Sequence, residues 1–376
     1  MRSLLPCIGA LVMAAGLLAG CGNAAGPQRA RAAAAVGAAQ VAGGRSQVGH
    51  IFVINMENKG FTRTWGSHSK APYVARTLRR KGVLLTRYYG TAHHSEGNYI
   101  AQVSGQGPNP EMQKDCRTYS NLHTRRVGAW QQRIGHGCIF GKHTPTLMKQ
   151  MDYGHRGSWR GYMQDMGRAC RHPKPGHRDN AFTATRTRQY ATRHNPFVYF
   201  HSVINHPGYC RSHVVGLGSL SHDLKRVRTT RTLTYISPDL CSDGHDNPCK
   251  DGRRGGLVAF NRWAKAWVPK ILASPAFKRN GMLVITADES DGPRSDSSAC
   301  CGERSVNVRR AGVDGPGGGR IGALVISRFT RPGTSTGRTY NHYSLLGTME
   351  RIIGARLYGY ARTPHLHLFG ADVFNR

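Results

Sequence analysis

His50-Ile51-Phe52-Val53-Ile54-Asn55-Met56-Glu57-Asn58 is a nearly continuous apolar run that stops abruptly at a carboxylate and an amide. An unbroken apolar run of this length is typical of a strand covered on both faces, as in a parallel sheet. In such sheets ligands gather at the carboxyl ends of the strands. The run therefore predicts a central strand with polar, chemically useful side chains at its end.

Further strands and helices alternate along the rest of the chain. The apolar runs predict strands at Val83–Leu85, Trp159–Met163, Pro196–Phe200, Leu233–Ile236, Met282–Thr286 and Ile321–Ile326. Helical spacing predicts helices at Ala71–Lys81, from near Gly97, at Leu257–Leu272 and at Tyr343–Ile353. This alternation predicts an α/β domain with a mostly parallel central sheet flanked by helices. Residues 106–143 and 164–194 lack a clear period and predict irregular insertions, the first pinned by a disulfide.

The N-terminus has the pattern of an export signal. Arg2 precedes a short apolar run that ends in Leu18-Ala19-Gly20-Cys21. That ending resembles a bacterial lipoprotein box, so we expect residues 1–20 to be a signal peptide and Cys21 to be lipidated. Ordinary cleavage with full secretion is the alternative. Residues 21–47, rich in Ala, Gly, Arg and Gln, predict a flexible tether, and 48–376 the folded domain.

The cysteine content agrees with export. Ten cysteines are present, and eight remain after Cys7 and Cys21 are set aside: Cys116, Cys138, Cys170, Cys210, Cys241, Cys249, Cys300 and Cys301. An even number in an exported chain indicates up to four disulfides, whose pairing the sequence leaves open. We expect the adjacent Cys300 and Cys301 to bridge to different partners. A zinc site is not favoured, because no Cys-x-x-Cys pair occurs.

The chain is strongly basic, with 53 Lys and Arg against 20 Asp and Glu and a formal net charge of +33. Such an excess attracts anions at long range. It fits either a merely solvated basic surface or selection for anionic partners, an anionic membrane surface among them. The cations are spread along the chain and no nucleic-acid-binding motif is present, so no nucleic acid partner is expected. No dedicated oligomerisation element is evident, which predicts a monomer.

Acidic residues are scarce, yet they and several histidines cluster where the predicted strands end. The clustered residues are Glu57 and Asn58; His93, His94 and Ser95; Asp239, Asp243, His245 and Asp246; Asp288 and Glu289; and His342. One such residue would mean little, because turns favour Asp and Asn. Several strand ends that converge predict a site.

The residue types in this cluster indicate metal-assisted phosphate chemistry. Carboxylates with a few histidines and no cysteine suit zinc, magnesium, manganese or calcium. Ser95 precedes a predicted helix, whose N-terminal amides and dipole favour a bound anion. A metal ion would activate such a serine as a nucleophile. A serine peptidase is not favoured, because no Gly-x-Ser-x-Gly elbow surrounds Ser95.

Six segments occur in an order that resembles the bacterial phosphoesterase and acid phosphatase family of the alkaline-phosphatase superfamily. They are residues 50–58, His94 to Gly105, His194 to Phe197, Ser237 to Asp246, Ile285 to Gly292 and His342 to Leu346. The resemblance implies an alkaline-phosphatase-like fold and a phosphoesterase domain over 48–376. It implies one or two divalent metal ions, whose identity stays open.

The resemblance also implies a role for each matching residue. Glu57, Asn58, Asp288 and Glu289 would bind the first metal ion, and Ser95 would form a phosphoserine. Asn98 would donate to a phosphoryl oxygen. Asp243, His245 and His342 would bind a second metal ion, or bind phosphate and protonate the leaving group. His194 is a weaker candidate for phosphate binding or acid catalysis, and His93 is expected to be a bystander. Helix capping or support is the alternative for Asn98 and His342, and an exposed loop position the alternative for His245.

Three functions remain open at this point. The first is an exported phosphomonoesterase with a mildly acidic optimum, for which phosphoinositides and simple sugar or nucleotide phosphates are both suitable substrates. The second is a phospholipase C-type phosphodiesterase, although the Ser-x-x-Asn-Tyr stretch at Ser95 favours the phosphatase branch. The third is a non-catalytic surface lipoprotein that binds polyanions.

Overall fold

The computed structural model describes residues 47–302 and 305–376. The predicted signal peptide, Cys21 and all of the predicted tether except Gln47 lie outside the described residues. Within the described ranges, no helix combines the length and the apolar character needed to cross a bilayer.

The central sheet has eight strands among the described residues. In chain order they are β1 (His50–Met56), β2 (Val83–Tyr89), β3 (Trp159–Met163), β4 (Val214–Gly216), β5 (Leu233–Ser237), β6 (Gly281–Ala287), β7 (Ala323–Ser327) and β8 (Thr334–Asn341). Across the sheet the order is β8-β2-β7-β6-β1-β5-β3-β4. Only the two pairings of β7 are antiparallel. The predicted mostly parallel sheet is confirmed.

Strand β1 lies in the middle of this sheet, between β6 and β5. It pairs in parallel with β6 from His50↔Gly281 to Met56↔Ala287, and with β5 from Ile51↔Leu233 to Ile54↔Ile236. Every β1 residue after His50 is buried, which explains its unbroken apolar run. Because the three strands run the same way, their carboxyl ends meet at one edge of the sheet.

Nine α-helices occur within the described ranges. They are α1 (Phe61–Trp65), α2 (Ser95–Ser104), α3 (Leu147–Tyr153), α4 (His201–Ile204), α5 (Pro207–His213), α6 (Leu220–Asp223), α7 (Gly256–Ala273), α8 (Pro275–Asn280) and α9 (His342–Ile352). The predicted helices at Leu257–Leu272 and Tyr343–Ile353 are confirmed to within one residue. Helix α9 begins with a capping box between Asn341 and Ser344, which satisfies amides of its first turn.

One local prediction is wrong, one helix has a different type from a regular α-helix, and one strand was not predicted. Residues Pro196–Tyr199 form a 3₁₀ helix instead of a strand. All four are buried, and a short apolar run reports burial without distinguishing a strand from a helical segment. In place of a regular α-helix, a π-helical turn (Tyr73–Leu78) leads into a 3₁₀ turn (Arg79–Lys81). Strand β8 was not predicted, because an edge strand that is half exposed has no apolar run.

The structure pairs all eight cysteines after Cys21. The disulfides are Cys116–Cys138, Cys170–Cys210, Cys241–Cys249 and Cys300–Cys301. The first closes the irregular 106–143 insertion, as predicted, and the second ties the other insertion to α5. The expectation for Cys300 and Cys301 is wrong: they bond to each other. The insertions also contain two small antiparallel ladders, Thr118–Tyr119 with His177–Arg178, and His123–Val127 with Arg133–His136.

Candidate active site

Backbone hydrogen bonds hold the ends of β1, β5 and β6 together. The Glu57 amide donates to the Asp243 carbonyl (3.0 Å), and the Asp288 amide donates to the Met56 carbonyl (3.0 Å). The Lys59 amide donates to the Glu289 carbonyl (2.9 Å). The carboxylates after three different strands are thereby brought to one place.

Ser95 is the first residue of α2 and faces this cluster of carboxylates. Its Oγ donates to Glu57 Oε2 at 2.9 Å. Every residue of α2 is buried, so the N-terminal amides and the positive end of the helix dipole lie in a medium that screens charge weakly. A serine oxygen in this position can attack an anionic phosphorus centre, because the helix end stabilises the negative charge it gathers.

His194 lies between two of the carboxylates, although it was only a weaker candidate. Its Nε2 is 3.2 Å from Glu57 Oε2 and its Nδ1 is 3.2 Å from Asp243 Oδ2. One ligand atom from each of these three buried residues lies within 4.8 Å of the others. Tyr99 contacts both Glu57 and His194. Its hydroxyl donates to Glu57 Oε1, and its ring stacks on the His194 imidazole with centroids 5.2 Å apart.

Asn58 and Asp288 offer oxygens that nothing else in the described residues uses. The Asn58 amide, at a φ of 53°, donates to Asp288 Oδ1 (2.8 Å). Asn58 Oδ1 and Asp288 Oδ2 are buried and have no hydrogen-bond partner among the described residues. Buried acceptors without partners are costly. Carboxylate and amide oxygens beside an imidazole are also ligands for divalent cations. The residues therefore fit a bound cation.

Glu289 contacts a histidine that the sequence analysis set aside. Its Oε2 lies 2.8 Å from His93 Nδ1, and both side chains are buried. The other ring nitrogen, His93 Nε2, is 3.0 Å from the Asp296 carbonyl. His93 thus fixes Glu289 and is not a bystander. The only sequence signal was its position one residue before His94 at the end of β2.

The carboxyl groups of this site favour a bound positive charge. Burial, reinforced by the neighbouring Asp288 and Asp243, raises the pKa of Glu57 well above its ordinary value. Burial also raises the pKa of Asp243 and Glu289 strongly and that of Asp288 to a lesser degree. Burial lowers the pKa of His194 well below 6.5, so this imidazole is neutral. A cation among these groups would reverse the preference of the carboxyls for protons.

His342 lies behind the Asp288–Glu289 turn. Its Nε2 is 2.6 Å from the Asp288 carbonyl, while Nδ1 is 3.1 Å from the Tyr88 hydroxyl and 3.2 Å from Gln102 Nε2. Burial lowers its pKa to about 4, so the ring is neutral, with Nε2–H donating to the carbonyl. Both nitrogens have protein partners, an arrangement that orients Asp288 and leaves neither free for substrate.

The Asn98 side chain fastens the loop that leads into α2. Its Oδ1 accepts from the amides of Thr91 (2.8 Å) and Ala92 (2.9 Å), and its Nδ2 donates to the Ala92 carbonyl (2.9 Å). The Asn98 side chain therefore holds the loop before Ser95 in place. This agrees with the alternative given for Asn98 in the sequence analysis, support of the helix start.

A cavity of about 670 Å³ has His94, the residue before Ser95, in its wall. Cationic side chains dominate its polar lining: Lys114, Arg117, Arg193 and Lys250. His245 also lines it, half-buried, with Nδ1 2.7 Å from Asp246 Oδ1. Arg193 is 4% exposed; its Nε is 3.5 Å from Asp115 Oδ2. Arg193 was not predicted from the sequence. The one feature that could have indicated it is its position directly before His194.

Comparison with known proteins now identifies the family. Residues 68–356 match the model of the Phosphoesterase family. The chain belongs to the Phosphoesterase family. This match confirms the family that the ordered motifs predicted.

Two curated relatives of this phosphoesterase are informative. A phosphate-repressible acid phosphatase of Penicillium chrysogenum is 23% identical over 214 residues, 57% of this chain and 42% of the relative. A phosphatidylinositol-3-phosphatase of Mycobacterium tuberculosis is 22% identical over 321 residues, 83% of this chain and 79% of the relative. The chain spans less than half the length of the fungal acid phosphatases that head its matches.

A solved structure resembles the fold of this phosphoesterase. The crystal structure of Ps i-CgsB matches with a TM-score of 0.50 at 12% identity, over 88% of this chain and 77% of the other. An identity this low bears on the fold alone, and it agrees with the mostly parallel sheet described above.

Proposed function

We propose that this phosphoesterase is an exported, divalent-metal-dependent phosphomonoesterase of the acid phosphatase type, with Ser95 as its nucleophile. The observation that carries the proposal is the 2.9 Å hydrogen bond from Ser95 Oγ to Glu57 at the N-terminus of the buried helix α2. Family membership and the acid phosphatase relatives support the reaction class. The four disulfides support export, because such bonds persist in oxidising compartments.

One cation would bind Glu57, Asn58, Asp288 and Glu289. The unpartnered Asn58 Oδ1 and Asp288 Oδ2 would be two of its ligand atoms. The group of Glu57, His194 and Asp243 would hold a second one. When bound, a divalent cation lowers the pKa of the serine and neutralises phosphoryl oxygens. Zinc, magnesium, manganese and calcium all fit this mixed donor set.

The reaction would proceed by two displacements. Ser95 Oγ forms a bond to phosphorus, its proton passes toward Glu57, and the bond to the substrate alcohol breaks. Water then attacks the phosphoserine and releases inorganic phosphate. His245 and His94 both line the cavity, and of the two it is His245 that the Asp246 carboxylate, 2.7 Å away, orients. We assign it the proton that the leaving alcohol takes up. His342 and Asn98 position Asp288 and the loop before Ser95.

The cationic cavity would bind the remainder of an anionic substrate. Arg193, Arg117 and Lys250 line it, and we place the phosphate esters of small alcohols and of phosphoinositides in this class. The Mycobacterium tuberculosis relative is named for a phosphoinositide substrate, which favours including a lipid phosphate in any test.

The deciding experiment measures inorganic phosphate release from p-nitrophenyl phosphate and phosphatidylinositol 3-phosphate, and phosphocholine release from phosphatidylcholine, between mildly acidic and neutral pH. Ser95→Ala should lower turnover roughly a thousandfold or more, as expected for loss of a covalent nucleophile. Ser104→Ala is the matched control, because Ser104 is buried in the same helix and donates to the Ile100 carbonyl. Chelation should abolish turnover and metal add-back should restore it.

Each outcome decides between the three functions. Phosphate release that Ser95→Ala and chelation both abolish supports the proposal. Phosphocholine release from phosphatidylcholine would instead indicate a phospholipase C. No turnover with any of the four metal ions would leave a non-catalytic polyanion-binding protein.

A further inference from the structure

Exposed apolar side chains are concentrated in two segments. Five large apolar side chains are exposed among the described residues, and four of them are Val127, Trp130, Val306 and Val313. Their segments are 123–136, which contains the His123–Val127 and Arg133–His136 ladder, and 305–314. We call these two segments together the rim surface. The fifth side chain, Tyr153, is the last residue of α3, and Lys149 lies over its ring.

The two segments form one surface at the mouth of the cavity. Asn307 bonds them together, since its Oδ1 accepts from the Gly135 amide (2.9 Å) and its Nδ2 donates to the Arg133 carbonyl (2.9 Å). Gln113 lines both the large cavity and a smaller depression formed with Arg309, Arg310 and Val313. The rim surface therefore borders the large cavity through Gln113.

The tip of the hairpin is held rigidly, so the exposure of Trp130 is imposed by the structure. The buried Gln132 accepts from the Gly107 amide (2.7 Å) and donates to the Gly105 carbonyl (2.8 Å), just beyond the end of α2. Trp130 and Gln131 both have positive φ, 54° and 56°. A non-glycine residue in this region is strained. The strained backbone at Trp130 therefore accompanies the exposure of its side chain.

The charge of the rim surface is predominantly positive. Arg125, Arg126, Arg309 and Arg310 are exposed, and Arg133 is partly exposed. Residues 123–136 and 305–313 contain no Asp or Glu. Among the described residues, the exposed Asp314 is the one carboxylate within the rim surface, and Glu111, which contacts His136 and accepts from the Gly137 amide, borders it. The arginines therefore face solvent with little local compensation.

We propose that the rim surface docks this chain onto the surface of an anionic lipid bilayer. Tryptophan and aliphatic side chains partition into the headgroup region, and arginines attract anionic headgroups at the same depth. A polynucleotide would use the arginines but would gain little from Val127 and Val313. Docking presents the cavity mouth to the membrane. The proposal does not depend on phosphatase activity, because binding is measured without turnover.

The test is co-sedimentation of the full chain with vesicles of phosphatidylcholine alone or mixed with phosphatidylserine. Every protein carries Cys21→Ser, so that no acyl chain at that position drives binding. One rim variant is Val127→Ser with Trp130→Ser, and the other is Arg125→Gln with Arg126→Gln. Their controls are Tyr153→Ser, which removes the remaining exposed large apolar side chain of the described residues, and Arg226→Gln with Arg228→Gln, which removes two exposed positive charges outside the rim surface.

We expect binding to the phosphatidylserine vesicles, weakened roughly tenfold or more by either rim variant and about twofold or less by the controls. A second measurement needs no variant: brominated lipids should quench Trp130, the one exposed tryptophan within the described ranges. Equal binding to neutral vesicles, equal losses in the controls, or no quenching would overturn the proposal. Loss with the arginine variant alone would indicate a polyanion such as nucleic acid instead of a bilayer.

Discussion

Glu350, near the end of α9, should make the protein more stable in acid than at neutral pH. Burial raises the pKa of this carboxyl to about 8. Its Oε1 accepts from Gln150 Nε2 (2.7 Å) and its Oε2 from the Tyr358 amide (3.3 Å). The folded state therefore holds a proton that the unfolded chain releases near pH 4.5. The stabilisation is complete below that pH and is lost as pH rises toward 8.

The magnitude follows from the two pKa values of Glu350. At about 1.4 kcal/mol per pH unit, the whole change between about pH 4.5 and 8 is at most about 5 kcal/mol. Between about pH 5 and pH 7.5 the contribution should fall by about 3 kcal/mol. A change of that size is a substantial part of the stability of a folded domain.

The assay compares the wild type with Glu350→Gln by urea unfolding across this pH range. The variant keeps a neutral side chain of the same shape, so its free energy of unfolding should lack this contribution to the pH dependence. The other buried carboxyls act equally in both proteins and cancel in the difference. Glu111→Gln, at a partly exposed site, is the matched control. A wild-type-to-variant difference that stays constant with pH would refute the reasoning.

Two further predictions concern the active site. Tyr99→Phe removes the hydroxyl that donates to Glu57 Oε1. Because this bond lowers the raised pKa of Glu57, the pH midpoint for cation binding should rise by about one unit. Calorimetric metal titration at several pH values would measure this midpoint, and an unchanged midpoint would contradict the prediction. His342→Phe keeps the ring but removes both nitrogens, so the Asp288 carbonyl loses its hydrogen bond to Nε2. Turnover should then fall about 10- to 100-fold, with KM little changed. If steady-state kinetics showed a change in KM alone, His342 would not have a positioning role.

The fold was largely predictable from the sequence, and the reason is local burial. Strand β1 is covered on both faces, and its apolar run of residues reports that directly. Helix α7 has one buried face, which helical spacing reports equally well. Residues Pro196–Tyr199 were assigned wrongly because they are buried without the hydrogen bonding of a strand. Strand β8 was missed because a half-exposed edge strand carries no such pattern.

The sequence by itself determined which carboxylates meet, because Glu57, Asp243 and Asp288 follow parallel strands whose ends share one edge of the sheet. It also placed Ser95 at a helix N-terminus. Only the tertiary structure decided which histidines contact these carboxylates. His194 reaches Glu57 from a 3₁₀ turn, and His93 fixes Glu289, whereas His342 faces the Asp288 carbonyl. The positions of strands along the chain follow from a local apolar pattern, but the direction of a buried imidazole depends on the packing of segments far apart in the chain.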